Sequence, residues 1–578
     1  MTVDGQPYVV RGVGGNGSRE LLTKIGGNTV RTWAADNLQP LLDDCQRLGL
    51  KVAVGLWLGH ERHGFNYNDA DQVARQADQV RATVEKFKDH PAVLLWGLGN
   101  EMEGTGAGDN AAIWLAINQL ATQVKRIDPN HPTMTVIAEI GGGRVSSVER
   151  LCPDVDILGV NSYGGVASLA KRYEAAGGRK PLLITEFGPP GMWETKKNAW
   201  NVCVEPTSTA KAEFYRTAWQ QGIEGSQGRC LGGFAFLWGH KQEATATWFG
   251  MLLPDGSRLA PADALQELWT KKPPTNRCPT IQSLVLKTSS SNAATDARDA
   301  SSQSSLDKLK PGARLRATLA ASDPEGDALK VTWVLQAEPA AYGVGGDAEA
   351  APPTYPEAIT SATQDGCDVR LPESGGGYRL FAYVRDGQGG AAVANVPLFV
   401  DGPVVVPAAR SAKLPLVVYD EADRQPLAFV PSGWMGDTKN LALKSDCDES
   451  PHTGKTCLKY EFKAGGGWGG IVWQHPEGDW GDKPGGWNLT GAKQLVLWAR
   501  GAEGGEVVSF EFGILGADKK FSDTGKAKLG NVRLTKEWQQ VTLNLAGLDL
   551  SRIKTGLAVV VAGQGRPVTL FLDDIEYR

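Results

Sequence analysis

Short apolar runs alternate with amphipathic stretches over residues 1 to about 272. The runs are PYVVRGV (7–13), NTVRTW (28–33), KVAVGLWL (51–58), AVLLWGLGNE (92–101), TMTVIAE (133–139), DILGVNSY (156–163), PLLITEF (181–187) and GGFAFLWG (232–239). Such runs read as strands buried on both faces. Between them, segments such as DADQVARQADQVRATVEKFKDH and AAIWLAINQLATQVKRI repeat their apolar residues near helical spacing. Eight strand-like runs with eight connections in about 270 residues predict a closed (β/α)8 TIM barrel. A doubly wound open sheet would show fewer strands and often a Gly-rich phosphate turn, and the sequence has no such turn.

After KKPPTNRCPT the helical periodicity stops. From about 273 to 403, Ser-, Ala- and Gly-rich stretches alternate with strands such as ARLRATLAA, LKVTWVLQ and YRLFAYVRD, which predicts an immunoglobulin-like β-sandwich serving as a spacer. DGPVVVPAARSAKLP reads as a Pro-rich linker. Residues 413–578 carry LVLWARG, EVVSFEFGIL, QQVTLNLAG and VTLFLDDIEYR, which suits a jelly-roll β-sandwich. The expected architecture is thus multidomain: barrel 1–272, sandwich 273–403, jelly roll 413–578.

Composition narrows the partners. The 578 residues are 41% hydrophobic and 22% charged, as in a folded protein. A net charge of −5 leaves no basic field for phosphates, so no nucleic-acid partner is expected. No apolar run reaches the ~18 residues of a membrane span. The polar N-terminus MTVDGQPYVV lacks the core of a signal peptide. Eight cysteines form no disulfide scaffold; Cys447 and Cys457, ten apart, fit either a disulfide or two thiols. With the modular tail, this points to a secreted or periplasmic protein whose leader has been removed. No CxxC or Cys/His cluster is present, and no metal or cofactor is expected.

In a (β/α)8 barrel, residues at the C-terminal ends of the strands face one pocket. The second run ends in Arg31, Thr32 and Trp33, the third in Trp57 followed by His60 and His63, and the fourth in Asn100 and Glu101. The fifth ends in Glu139, the sixth in Asn161, Ser162 and Tyr163, the seventh in Glu186 and the eighth in Trp238. A carboxylate closing LLWGLG or PLLIT is costly unless it faces a polar pocket or has partners. For a single Glu, an internal ion pair with Arg31 would suffice; two on the fourth and seventh strands point to chemistry.

HPAVLLWGLGNEM and PLLITEFG resemble the acid/base and nucleophile strands of clan A glycoside hydrolases, closest to glycoside hydrolase family 2, and PYVVRGVGGN, NTVRTW and VNSYGG resemble further strands of that barrel. The resemblance implies that Glu101 is the general acid/base and Glu186 the nucleophile. It further implies that Asn100 binds the sugar 2-hydroxyl, that Arg31 and Tyr163 orient Glu186, and that Trp238 floors the sugar subsite. The physics agrees: a retaining glycosidase needs one protonated and one ionised carboxyl, about 5–5.5 Å apart. The sequence also departs from that family. The β domains follow the barrel instead of preceding it, and LWLGHERHGFNY offers two His, an Arg and aromatics where acidic residues are usual. Trp57, His60 and Asn161 are candidate substrate contacts. His60 and His63 have no evident third ligand for a metal. Glu139, Glu103 and Glu243 read as subsite or structural residues.

In the appended domains, Asp323, Glu325 and Asp327 fit a calcium site or, more simply, an Asp-stabilised turn. Trp434, Trp468, Trp473, Trp480, Trp487 and Trp498 fit a sugar-stacking platform of a carbohydrate-binding domain, or core packing. The expected function is a retaining β-glycosidase acting on a polysaccharide or oligosaccharide, with a β-glucan favoured. The alternatives are a transglycosylase with the same carboxylates and a catalytically silent glycan-binding protein. Linkage, exo or endo action and oligomeric state are not read from the sequence.

Overall fold

A computed structural model describes every residue except 105, 107, 227, 289–293, 297–305, 340, 341, 344, 345, 348 and 407, with the backbone alone at 294–296. The chain forms two compact units, Met1–Val404 and Val405–Arg578.

The first unit opens on the barrel. Its strands are β1 (Val10–Gly14), β2 (Thr29–Arg31), β3 (Lys51–Leu56), β4 (Val93–Leu98), β5 (Thr133–Ala138), β6 (Ile157–Asn161), β7 (Leu182–Phe187) and β8 (Cys230–Phe236). All pair in parallel, and β8 closes the ring by pairing with both β7 and β1. Each strand is followed by a helix: α1 (Arg19–Lys24), α2 (Leu38–Arg47), α3 (Ala70–Phe87), α4 (Ala111–Ile127), α5 (Arg144–Leu151), α6 (Leu169–Ala175), α7 (Ser208–Thr217) and α8 (Ala260–Thr270). Side-chain caps start several of these helices: Asp69 accepts from the Asp71 and Gln72 amides at α3, Asn110 from Ala112 at α4, and Thr207 from Ala210 at α7. Val10, Ala53, Leu95, Met134, Val136, Leu183 and Phe234 form an apolar cluster on the strands, with Met1 and Val3 of the N-terminal hairpin packed against it. Polar side chains therefore gather at the other end, where the strands finish.

Two antiparallel sheets follow. In one, Gly390–Val400 and Gly376–Arg385 pair next to Lys330–Ala337; in the other, Thr280–Thr288 and Arg314–Ser322 pair next to Gly366–Arg370. Leu284, Leu315, Trp333, Leu380 and Val396 fill the space between them. This sandwich is bonded to the barrel more closely than a spacer requires. Arg258–Leu259, just before α8, pairs in parallel with Gly390–Ala391 of the sandwich. A buried polar network also joins them. Glu205 accepts from Lys211, Thr245, Thr247 and, at 2.7 Å, Asn395 Nδ2. Arg379 donates to Asn395 Oδ1 (2.7 Å) and to the Cys203 carbonyl (3.0 Å), and pairs with Glu338. Buried charges persist only when matched in this way.

The second unit is also a sandwich. Cys457–Phe462, Val568–Tyr577 and Gln494–Gly501 lie in one sheet, and Trp468–Gln474, Thr555–Ala562 and Val507–Phe512 in the other. Cys447 and Cys457 are register partners across two strands, buried against Phe571 as free thiols. The tryptophans divide. Trp473 is core, Trp487 is half-buried and donates its N–H to the Ala428 carbonyl, and Trp498 stacks on His452. Trp434 and Trp468 are 40% and 48% exposed. No described helix is long and apolar enough to cross a membrane.

Candidate active site

The site is assembled from the ends of β2, β4, β6 and β7. Glu186 is the penultimate residue of β7, and three donors converge on its carboxylate. Arg31 Nη1 (2.9 Å) and Trp33 Nε1 (3.0 Å) reach Oε1, and the Tyr163 hydroxyl (2.7 Å) reaches Oε2. An ionised carboxylate, which only accepts, fits such a set. Arg31 and Glu186 form a buried ion pair, and the same guanidinium donates to the Thr185 carbonyl (2.8 Å) and to Asn100 Oδ1 (2.6 Å). All the polar contacts of this cation are thus directed at residues of the site.

Glu101 follows the end of β4 by three residues. Gly99 turns the chain with a φ of 72°, and Glu101 itself is left-handed at 52°, a conformation uncommon for a residue with a side chain. Its amide donates to the Val136 carbonyl (3.0 Å), which holds the turn. Asn161 Nδ2 donates to Glu101 Oε1 (2.6 Å) and to Asn100 Oδ1 (3.2 Å), while Thr185 Oγ1 donates to Asn161 Oδ1 (2.7 Å). Burial, and then the charge of Glu186, push the Glu101 carboxyl up to about 7, against the opposing pull of Asn161. Burial and the same Glu186 charge raise the Tyr163 phenol well above its ordinary value.

The structure brings Arg31, Asn100, Glu101, Asn161, Tyr163 and Glu186 into one bonded network. It does not bring Trp238 there. Trp238 is 1% exposed, belongs to the barrel core, and donates its indole N–H to the Ser18 carbonyl (3.0 Å) at the start of α1. Gly15 and Gly17 make its place. A Cβ on Gly15 would lie 2.1 Å from the Trp238 carbonyl oxygen, and one on Gly17 would lie 2.8 Å from its ring. The expected sugar floor is therefore corrected. Trp33 and Tyr163 are the rings bonded to Glu186, and Phe236 meets both edge-on with centroids 5.8 and 6.1 Å away. Sequence reasoning gave no role to Trp33 or Phe236, although both sit at strand ends.

Trp57 follows β3, is 48% exposed and lies 5.1 Å from the His60 ring. Burial lowers His60 to about 4, leaving a neutral imidazole at neutral pH. His60 also lines a cavity of about 300 Å³ with Glu103, Asn110 and Trp114; neither Glu101 nor Glu186 is part of its lining. Glu139 is held by Arg172 (2.9 Å) and Ser162, and Glu103 by the Ala138 amide (2.7 Å). Glu243 pairs with Lys241 (3.2 Å), and burial raises its carboxyl, as do the nearby charges of Glu186 and Glu349. In the sandwich, Asp323 accepts from the Glu325 and Asp327 amides in a turn, and Glu325 pairs with Arg277. Among the described residues, no group of three His, Cys, Asp or Glu is placed to hold a metal.

Residues 18–205 match the model of the glycosyl hydrolases family 2 TIM barrel domain. The probable mannan endo-1,4-beta-mannosidase F of Aspergillus flavus is 26% identical over 209 residues, 31% of this chain and 43% of that protein. A beta-galactosidase of Klebsiella pneumoniae is 26% identical over 215 residues, 32% of this chain and 19% of that protein. Among solved structures, a Bacteroides uniformis beta-glucuronidase aligns with 99% of this chain and 66% of its own, at 12% identity and a TM-score of 0.37. The chain thus spans less than half the length of these two curated relatives. The barrel is similar to the family 2 barrel, and its relatives are glycoside hydrolases.

Proposed function

We propose that the protein is a retaining β-glycosidase that cleaves a β-linked polysaccharide or oligosaccharide by double displacement. The observation that carries this reading is the contrast between its two carboxyls. Glu186 lies among a cation and two further donors, while Glu101 is pushed up to about 7 by burial and by its partner's charge. Glu101 protonates the leaving oxygen as Glu186 attacks C1, and it then takes a proton from the water that releases the sugar. Once the Glu186 charge is consumed in the glycosyl ester, one of the two causes raising Glu101 is gone, which suits its change from acid to base. Asn100, fixed by Arg31 and Asn161, offers an amide to the 2-hydroxyl of the bound sugar. A glucan backbone remains our reading; the mannosidases and galactosidases among the relatives make mannans and galactans its competitors.

The test is incubation with 2-deoxy-2-fluoro-glycosyl fluorides of the gluco, manno and galacto series, followed by peptide mass spectrometry. A stable adduct on the peptide bearing Glu186 is expected, and an adduct elsewhere would overturn the nucleophile assignment. Overnight digestion of β-glucans, mannans, galactans and xylans then names the substrate. Products longer than the donor would identify transglycosylation, and silence with intact folding would favour a glycan-binding role.

A further inference from the structure

Trp193 lies in the segment that follows β7, and among the described residues no large apolar side chain is more open to solvent, at 61% exposed. The backbone that carries it is tied down on both sides. The Pro190 carbonyl accepts the Trp248 indole N–H (3.1 Å), and the Met192 carbonyl accepts the Cys203 thiol (3.1 Å). The Glu194 amide donates to the Gly191 carbonyl (2.8 Å). The Glu194 carboxylate accepts in return from the Gly191 amide (2.9 Å) and from the Gly164 amide (3.1 Å), next to Tyr163. The turn is thus fixed at residues 190, 191, 192 and 194, and the indole between them is presented to solvent. Trp248, which bonds to the same turn, is fully buried.

The exposed indole is joined to the site. Its ring meets Tyr163 edge-on, with centroids 5.7 Å apart, and Phe249 at 6.3 Å. Tyr163 in turn donates its hydroxyl to Glu186 Oε2. One phenol therefore links the ring to the carboxylate. Gly191 lies against the ring, since a Cβ there would stand 2.4 Å from two of its atoms. An indole that packs on two rings and rides on a fixed turn has little freedom left to lose on binding. A flat apolar face beside a polar, carboxylate-bearing site suits the C–H face of a pyranose. Trp33 and Tyr163 bond the carboxylate directly, so the sugar attacked at C1 meets those groups, and an indole one phenol farther out meets the next unit of the chain.

We propose that Trp193 is a stacking platform for a sugar unit adjacent to the one attacked, so that the enzyme prefers chains over monoglycosides. The inference rests on the glycosidase reading above and deepens it. The experiment uses the full chain, oligosaccharides of increasing length in the gluco, manno and galacto series, and aryl monoglycosides. In the series that the unaltered protein cleaves, Trp193→Ala should lower kcat/KM on oligosaccharides about tenfold relative to aryl monoglycosides, mainly through KM. Trp193→Tyr should restore the larger part of that ratio, because stacking needs an aromatic face. Gly191→Ala, which keeps the indole and crowds its ring, should move the ratio the same way by less. A ratio for Trp193→Ala within twofold of the unaltered protein's would overturn the platform. So would an equal loss on both kinds of substrate, which would mean that the indole acts through Tyr163 on Glu186. Turnover of aryl monoglycosides with none of any oligosaccharide would also overturn the platform and leave the glycosidase reading standing. No turnover of either, together with no label on Glu186, would overturn the glycosidase reading and the platform with it.

Discussion

The ends of β4 and β7 carry the same residue type and give it opposite surroundings. Glu186 receives a guanidinium, an indole N–H and a phenol, drawn from β2 and β6. Glu101 receives one amide, from Asn161, and otherwise burial and the field of its neighbour. What separates the two roles proposed for them is not the glutamate but what the adjacent strands direct at each. The comparison also explains why Arg31 and Asn161 each touch Asn100: they serve the two carboxyls and share one orienting residue.

The largest effect expected is at β7. Glu186→Gln keeps the shape and removes the attacking charge, so kcat/KM should fall by about 10⁴-fold or more. Activity within tenfold of the unaltered protein would dissolve the contrast. At β4 the loss should depend on the substrate. Glu101→Gln should cost about 10²–10⁴-fold on glycosides with poor leaving groups and far less on activated aryl glycosides, which leave without a proton. The acid role proposed for Glu101 needs its protonated form, so kcat/KM should decline as pH rises through about 7, and the variant should lose that limb.

Stability carries the same signature. The folded Glu101 carboxyl titrates near 7 and the ordinary value is 4.5, so the native state binds the extra proton between them. Its contribution to stability is present at low pH and lost as pH rises across that window. Glu101→Gln should therefore flatten the denaturant midpoint between pH 4.5 and 7 and raise it at pH 8. An unchanged slope would mean that Glu101 is not held up by burial.

Tyr163→Phe should sharpen the comparison at a smaller scale. It removes one of three donors on Glu186 and leaves the ion pair with Arg31, so a loss of about 10–100-fold in kcat is expected. Reactivity toward the fluorosugar should drop in proportion, because the phenol donates to the proposed nucleophile. A change in KM alone would instead make Tyr163 a substrate contact.

The two glutamates were legible because the signal is one-dimensional: a carboxylate ending an apolar run has no cheap structural explanation. The barrel was legible for a similar reason, since eight buried parallel strands leave eight separate apolar runs. What was hidden depends on distant partners. Glu205 meets Asn395 across 190 residues, and Arg379 meets Cys203 across 176, so nothing local announced that the first sandwich is bonded to the barrel. In the second unit, GGGWGGIVWQ gave no sign that Trp473 would be core while Trp468 stayed 48% exposed; strand register and the packing of Ile471 and Trp473 decide that.

Trp238 shows the same limit within the active-site region and yields the smallest effect on activity. The tryptophan at the end of β8 matches the resemblance by type and position along the chain, yet its ring is drawn beneath the mouth by two glycines after β1 that leave room for it. Its hydrogen bond to Ser18 ties the end of β8 to the first turn of α1. Trp238→Phe should therefore lose that bond and some packing, lowering unfolding free energy by about 1–3 kcal/mol. Catalysis on a monoglycoside should hardly change, because the rings beside Glu186 belong to other residues. Phe236→Ala should do the reverse in proportion, costing more activity relative to its loss of stability, since Phe236 packs against both Trp33 and Tyr163 and these donate to Glu186. If Trp238→Phe proved the more damaging to turnover at equal folded fraction, the ring would have to reach the sugar after all.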